Sequence, residues 1–230
     1  MTDVPPRPDI ASFLVSSIHD MKNSLNVMAS FLETALRQSA ADRSPLRRDT
    51  AKALYQAQRI DDNLLQLMTL YRLDREAYPF DPAEHQTGEF CRELAERVAS
   101  LAEQRDIALH LTCAEELFWW FDRELVFNTV LQALHNALIY SQRRIDLSCA
   151  VRDGMLEIRV EDDGPGYPPE LLARADAIGR GDCRETGSTG LGLYFSGVVA
   201  RLHENQGRRG HARLDNRSRL GGSAFVLCLP

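Results

Sequence analysis

The stretch Asp162-Asp163-Gly164-Pro165-Gly166 follows an alternating apolar run, and Gly187-Ser188-Thr189-Gly190-Leu191-Gly192-Leu193 then opens an apolar helical pattern. Glycines at the start of a helix let backbone N–H groups approach an anion, which the helix dipole also favours. Each stretch taken alone is also typical of an ordinary tight turn. Together, a strand-turn motif and a glycine-rich helix start predict a phosphate-binding α/β domain.

A third motif stands earlier in the chain, in Leu134-His135-Asn136-Ala137-Leu138-Ile139-Tyr140. We expect it on a helix from Asp122 to about Tyr140, with Asp122 as its N-cap. The side-chain oxygen of Asn136 is a ligand that a hard cation such as Mg²⁺ accepts. An asparagine on a helix is more often simple polar surface, so the order of the motifs carries the prediction.

The elements around these motifs alternate in type, which predicts helices packed on one mixed sheet, an α/β sandwich. Helices are expected at 87–104, 122–140 and 191–202. Strands are expected at 107–112, 117–121, 144–151, 155–160, 212–214 and 223–229.

The first part of the chain has a different period, in which apolar residues alternate at spacings of four and three. One such series is Leu14, Ile18, Met21, Leu25, Met28, Leu32 and Ala35; the next is Ala53, Ala57, Ile60, Leu64, Leu67 and Tyr71. The polar segment 39–45 separates them, which predicts an antiparallel helical hairpin. Because neither stripe is covered within one hairpin, we expect a homodimer with a four-helix bundle. Tyr78-Pro79-Phe80-Asp81-Pro82 reads as a linker, so the predicted domains are 1–77 and 78–230.

A candidate nucleophile lies in His19-Asp20-Met21-Lys22-Asn23-Ser24-Leu25, one residue past the stripe, where we expect His19 to face solvent. A histidine with a pKa of about 6.5 offers a neutral ring nitrogen near neutral pH. Asp20 can accept a hydrogen bond from the other ring nitrogen, and Asn23 lies one turn on, on the same face. Alone, this motif would more often be a solvated histidine beside an aspartate.

Taken in order, the motifs at His19, Asn136, Asp162 and Gly190 resemble the H, N, G1 and G2 boxes of two-component sensor histidine kinases. The ending Gly221-Gly222-Ser223-Ala224-Phe225 resembles the closing strand of the same ATP-binding domain. The resemblance implies a dimerisation and histidine-phosphotransfer hairpin, followed by a Bergerat-type ATP-binding domain. It implies ATP-dependent autophosphorylation of His19 and transfer to an aspartate of a response regulator receiver domain; phosphatase activity on that regulator stays open.

The same resemblance implies roles for individual residues. The catalytic set is His19, Asp20 and Asn23. Asp162 would bond the adenine amino group, and Asn136 would coordinate Mg²⁺ and contact ATP. The remaining ATP-binding residues implied are Tyr140, Gly164, Gly166, Gly187, Thr189, Gly190, Leu191 and Gly192.

The sequence also departs from the family pattern. Gln132 stands where the family often has asparagine, Ile139 stands where it often has a basic residue, and 173–185 reads as a charged mobile lid. The alternative is therefore a non-catalytic dimeric phosphotransfer or scaffold protein with a degenerate ATP domain. Related chaperone-type ATPases carry a glutamate base where this chain has Gln132, and an amide cannot take a proton from water. A serine kinase with the same ATP domain would not need the hairpin.

Composition excludes other classes. A net charge of -6 argues against nucleic acid as a partner. The five cysteines, Cys91, Cys113, Cys149, Cys183 and Cys228, are widely spaced without any Cys-x-x-Cys, so we expect reduced core thiols and no metal site. No apolar run reaches the ~20 residues that cross a bilayer, which predicts a cytoplasmic chain without membrane insertion. Few residues precede His19, so we expect input either from another protein, such as an upstream sensory protein, or from the cell's interior.

Overall fold

The computed structural model describes residues 18, 21, 23, 25–32, 34–36, 45–114, 116–179 and 191–230. The chain divides into two compact units, Met1–Tyr78 and Pro79–Pro230. The division falls within the stretch that the sequence marks as a linker. The roles assigned to the predicted domains 1–77 and 78–230 stay predictions.

The described part of the first unit is helical as far as Asp74. Residues 25–32 and 34–36 are helical, and helix α1 spans Pro45–Asp74. Pro45 stands at the first helical position, where the missing N–H costs no hydrogen bond. Stripe residues stay exposed within the single chain, at 53% for Met28 and 47% for Ile60. The antiparallel pairing of two helices and the four-helix bundle stay predictions, and 37–44 lie outside the described residues.

The second unit is an α/β domain. Its strands are β1 Ala83–Gln86, β2 Ala108–Cys113, β3 Phe118–Phe121, β4 Arg144–Arg152, β5 Met155–Asp162, β6 Glu204–Asn205, β7 Arg208–Arg209, β8 His211–Asp215 and β9 Ala224–Leu229. Its described helices are α2 Thr87–Gln104, α3 Arg123–Tyr140, α4 Pro169–Gly179 and α5 Leu191–Leu202. The main sheet has the order β2-β4-β5-β9-β8, with β2 and β4 parallel and the other pairs antiparallel. The predicted mixed sheet is confirmed.

One face of this sheet carries the core. Ile145, Leu147, Leu156 and Ile158 alternate along β4 and β5 and are at most 1% exposed. Helices α2, α3 and α5 pack on the sheet and bury their own apolar stripes there. Because full burial of each large apolar side chain is worth about 1.5–3 kcal/mol, this layer holds the domain together.

The opposite face of β5 carries three charged side chains, at residues 157, 159 and 161. Arg159 forms ion pairs of 3.3 Å with both Glu157 and Glu161, its neighbours two residues away on the strand. Arg213 on β8 reaches Glu157 at 3.0 Å, and Arg152 reaches it at 3.2 Å. These side chains form a network across three strands, which we call the charged ladder.

The lid interpretation of 173–185 is wrong for its first part, because residues 173–179 belong to helix α4. Pro169 and Glu170 open that helix with residue types suited to a first turn, and Ala175 on it is 3% exposed. Helix α4 packs against β8. Residues 180–190 lie outside the described part. Strands β1, β6 and β7 were not predicted.

Candidate functional site

The site is built around Asp162, the last residue of β5, whose side chain is 3% exposed. Its Oδ1 accepts hydrogen bonds from the backbone N–H of Gly164 at 2.8 Å and of Ser223 at 3.3 Å. Its Oδ2 accepts from the Ser223 hydroxyl. The neighbouring ladder brings Ser223 here, because β5 and β9 run antiparallel and Asp162 N–H donates to Ser223 O at 2.9 Å.

Two glycines allow the backbone to close around this carboxylate. A Cβ at Gly164 would lie 2.5 Å from the carbonyl oxygen of Tyr140, the last residue of α3. A Cβ at Gly222 would lie 2.5 Å from both Asp162 O and Gly164 N. Any larger residue would therefore push the loop after β5 away from α3 or from β9.

The next turn is held by hydrogen bonds from Asn216, which directly follows the edge strand β8. Gly166 has a φ of +85°, which favours glycine. The Asn216 amide accepts from Tyr167 N–H at 2.7 Å and donates to Tyr167 O at 2.9 Å. Burial raises the pKa of Tyr167 to about 12, and the negative charge of Asp162 adds to this rise. The phenol therefore keeps its proton at neutral pH.

Helix α3 is fixed at both ends. The side chain of Asp122 accepts from Leu125 N–H at 3.1 Å, so the predicted N-cap is confirmed. At the other end, the Asp163 carboxylate accepts from the N–H groups of Gln142 and Arg143 at 2.8 and 3.0 Å. Desolvation raises the pKa of Asp163, but these backbone donors outweigh it and hold the pKa below its usual value. The helix end is thereby tied to the loop beside Asp162.

The candidate ligand residues of α3 lie on its accessible side. Asn136 is exposed and Tyr140 is 60% exposed. Gln132 and Ile139 are half-buried. A Cβ at Gly192, near the start of α5, would collide with the side-chain amide of Gln132. The N-terminal turn of α5 therefore lies against the same helix that carries Asn136.

Several predicted site residues lie outside the described part of the chain: His19, Asp20, Gly187, Thr189 and Gly190. Asn23 is helical and exposed in the first unit. In the second unit, Leu191 and Gly192 are half-buried at the start of α5. The structure thus brings together the end of β5, the end of α3, and the start of α5 against Gln132.

Three residues of this site were missed in the sequence: Ser223, Gly222 and Asn216. The first two belong to Gly221-Gly222-Ser223, directly before a strand, and that position could have marked them as a turn facing the end of β5. Nothing in the local pattern around Asn216 predicts its bonds to Tyr167, which is 49 residues away.

The polar groups of this site suit the binding of an adenine nucleotide. A carboxylate has about four acceptor positions, and three donors reach Asp162, which leaves capacity for one more N–H such as an exocyclic amino group. The exposed amide of Asn136 is a hard oxygen donor of the kind that Mg²⁺ prefers. The start of α5 offers backbone N–H groups and a positive dipole end to phosphate.

Comparison with known proteins agrees with this geometry. Residues 121–230 match the family described as histidine kinase-, DNA gyrase B- and HSP90-like ATPase. The matched residues lie within the second unit and cover less than half of the chain. The match implies ATP binding by the ATPase domain, and the α/β fold predicted for it is confirmed.

Relatives extend the similarity beyond the ATPase domain. The sensor-like histidine kinase SenX3 of Mycobacterium tuberculosis is 30% identical over 224 residues, which are 95% of this chain and 53% of SenX3. The structure of histidine kinase AdeS of Acinetobacter baumannii aligns with a TM-score of 0.57 at 17% identity, over 90% of this chain and 96% of AdeS. Full-length ShkA in complex with AMPPNP aligns with a TM-score of 0.62 at 20% identity, over 95% of this chain and 45% of ShkA.

These matches confirm the predicted resemblance to two-component sensor histidine kinases with this type of ATPase domain. The chain spans about half the length of the curated relatives it matches. The curated relatives SenX3 and CpxA are named as sensor histidine kinases. No helix within the described ranges is both long and apolar enough to span a bilayer.

Proposed function

We propose that this chain is the catalytic core of a protein-histidine kinase, which uses ATP to phosphorylate His19 and passes the phosphoryl group to an aspartate of a receiver domain. The observation that carries the proposal is the Asp162 carboxylate, 3% exposed, with three protein donors and room for a fourth. A buried carboxylate with a free acceptor position selects a ligand that donates an N–H, because leaving that position unpaired costs free energy.

Adenine recognition rests on orientation as well as charge. Ser223 and Gly164 hold the Asp162 oxygens in one position, so the free acceptor direction is set before the ligand arrives. The turn at Gly166 is fixed by Asn216 through Tyr167. Tyr140, exposed at the end of α3, offers an aromatic face to the nucleotide.

Phosphate binding falls to the start of α5 and the residues before it. Gly187, Thr189 and Gly190 would supply backbone and hydroxyl donors, and Leu191 and Gly192 begin the helix that points its positive end at the phosphates. Asn136 would hold Mg²⁺, which neutralises charge on the transferred phosphoryl group. Ile139 brings no positive charge to this group of ligands, so the metal and the helix start carry the neutralisation.

The acceptor chemistry belongs to the first unit. A neutral ring nitrogen of His19 attacks the γ-phosphorus in line, and Asp20 accepts a hydrogen bond from the other ring nitrogen, which raises nucleophilicity. Asn23, which is exposed in the first unit, would hold water near the phosphorylated ring.

We further propose a homodimer through an antiparallel hairpin and a four-helix bundle. Exposed apolar side chains in the first unit support it: Met21, Val27, Met28, Phe31, Ile60 and Leu67 are each 46–73% exposed in the single chain. Covering such side chains is favourable at roughly 25 cal/mol per Å². Cytoplasmic location is also proposed, since ATP is the substrate and the four described cysteines are free thiols, as a reducing compartment keeps them.

Incubation with γ-labelled ATP and Mg²⁺ tests the kinase proposal. We expect acid-labile label on the wild type, because a phosphoimidazole P–N bond breaks once its nitrogen is protonated. His19→Gln should carry no label. The matched control is His110→Gln, an exposed histidine on β2, which should label like the wild type.

The proposal fails if the wild type binds ATP but no label reaches His19, even with a receiver domain present. Acid-stable label would point to a hydroxyl acceptor instead. Label that His19→Gln retains would place the acceptor elsewhere in the chain.

A further inference from the structure

Three cysteines of the ATPase domain lie together, away from the nucleotide site. Cys91 is on α2, Cys113 ends β2, and Cys149 is on β4. Their Sγ atoms all lie within 4.8 Å of one another. Cys91 and Cys149 are buried, Cys113 is half-buried, and all three are free thiols. We call this group the thiol cluster.

The fold makes this cluster from residues that sequence spacing keeps apart. Strands β2 and β4 are parallel neighbours, and their register sets Cys113 directly opposite Cys149. Helix α2 packs across both strands, with Cys91 on its buried face beside Leu94, which is 0% exposed. The absence of a Cys-x-x-Cys motif therefore says nothing about a metal site here.

We propose that Cys91, Cys113 and Cys149 bind one thiophilic metal ion, monovalent copper above others, through three thiolates. Sulfurs held at about 2.3 Å from one ion in a plane lie about 4 Å apart, so the cluster is close to binding geometry. Thiolate ligands select Cu(I), zinc and related soft ions. Zinc sites are almost always four-coordinate, and in the described part of the chain no fourth Cys, His, Asp or Glu joins the group. Three sulfur donors alone suit Cu(I).

Binding of Cu⁺ by the thiol cluster involves no change of oxidation state. Three thiols form three Cu–S bonds and release three protons to water. The half-buried Cys113 leaves an entry side open to solvent.

The test uses the full chain, reduced and kept free of oxygen, in a Cys183→Ser background that removes the thiol outside the described residues. Cu(I) is supplied in competition with the chromophoric chelator bathocuproine disulfonate. We expect one Cu(I) per chain, and an affinity at least about tenfold weaker in Cys113→Ser, since even loss of an outer partner costs 10–100-fold. Cys228→Ser is the matched control, because Cys228 lies on β9 outside the cluster and should not matter.

X-ray absorption at the copper edge is measured on the chain in which all three cluster cysteines are intact. The result therefore does not depend on whether a variant folds. Three sulfur neighbours are expected. A copper ion with only two sulfur neighbours would overturn the proposal, and so would equal Cu(I) affinity in Cys113→Ser and its parent. The proposal would also fail if two of the cluster cysteines form a disulfide and the reduced protein binds no Cu(I). A parallel titration with Zn²⁺ should give weaker binding; tighter Zn²⁺ binding would overturn the preference for copper. None of these outcomes depends on kinase activity.

Discussion

At the scale of single residues, the hydroxyl of Ser223 decides whether both carboxylate oxygens of Asp162 accept a hydrogen bond from the protein. Asp162 is buried and its Oδ2 has Ser223 Oγ as its described donor. A carboxylate is costly to bury without partners, so this hydroxyl stabilises the folded domain as well as orienting the carboxylate.

We predict that Ser223→Ala lowers the free energy of unfolding by about 1.5–3 kcal/mol, the usual value of a hydrogen bond to a charged group. Urea unfolding without nucleotide measures it. Ser100→Ala, at an exposed position on α2, is the matched control and should change stability by less than about 0.5 kcal/mol. Equal losses in the two variants would mean that Asp162 finds another donor.

His203 predicts a dependence of stability on pH. Its Nε2 accepts from Asp122 N–H at 2.9 Å, so Nδ1 carries the proton and donates to Val199 O at 2.8 Å. The ring therefore satisfies a backbone carbonyl in the last turn of α5. Burial lowers the pKa of His203 below its ordinary value of 6.5. As pH falls below about 6.5, the unfolded chain takes up a proton first, and the free energy of unfolding decreases.

The expected loss of stability between about pH 7.5 and about pH 5.5 should be smaller in His203→Gln than in the wild type. Urea unfolding at both pH values measures this difference. Burial also lowers the pKa of His211, so part of the slope should remain in His203→Gln. An unchanged slope would contradict the role given to His203.

At the scale of elements, Gly164 is the contact between the loop after β5 and the end of α3. Because a Cβ there would meet backbone rather than a flexible side chain, the added atom cannot be accommodated by a rotamer change. The spacing between Asp162 and the helix that carries Asn136 therefore depends on this glycine.

We predict that Gly164→Ala loses about 1–3 kcal/mol of stability and also weakens binding of a non-hydrolysable ATP analogue. Gly207→Ala is the control: its φ of +76° makes the substitution strained, but nothing lies within 4 Å of the added Cβ. That variant should lose stability by about 1–2 kcal/mol and keep nucleotide affinity. Calorimetry and urea unfolding separate the two effects. Intact nucleotide affinity in Gly164→Ala would contradict the argument.

Elements with a strong periodic pattern could be predicted, as α2 and the β4–β5 pair were, because their own residues determine both type and extent. Strands β1, β6 and β7 have two to four residues each and exist through pairing, so no local pattern marks them. The site divides in the same way. Asp162 stands in a recognisable motif, whereas Asn216 and the thiol cluster depend on which strands become neighbours.

At the scale of the whole molecule, the exposed stripe of the first unit leads to a prediction about assembly. Met28 is 53% exposed on the predicted stripe, and Asn26 is exposed off it. We expect the wild type to be a dimer at micromolar concentration by light scattering. Met28→Glu should give a monomer, because an unpaired charge would be buried between chains, while Asn26→Glu should stay dimeric. A monomeric wild type would contradict the proposed bundle.

The charged ladder has a consequence for how strands find their partners. Apolar alternation rejects a slip of one residue, since that turns every side chain to the wrong face, but it cannot detect a slip of two. A two-residue slip of β5 would carry Arg159 into the place of Glu157 and set it against Arg213. Like charges would then meet over a layer of small residues on β9. The alternating charges along β5 thus disfavour a two-residue misalignment of this strand, whereas the apolar face of the sheet cannot distinguish that misalignment from the native register.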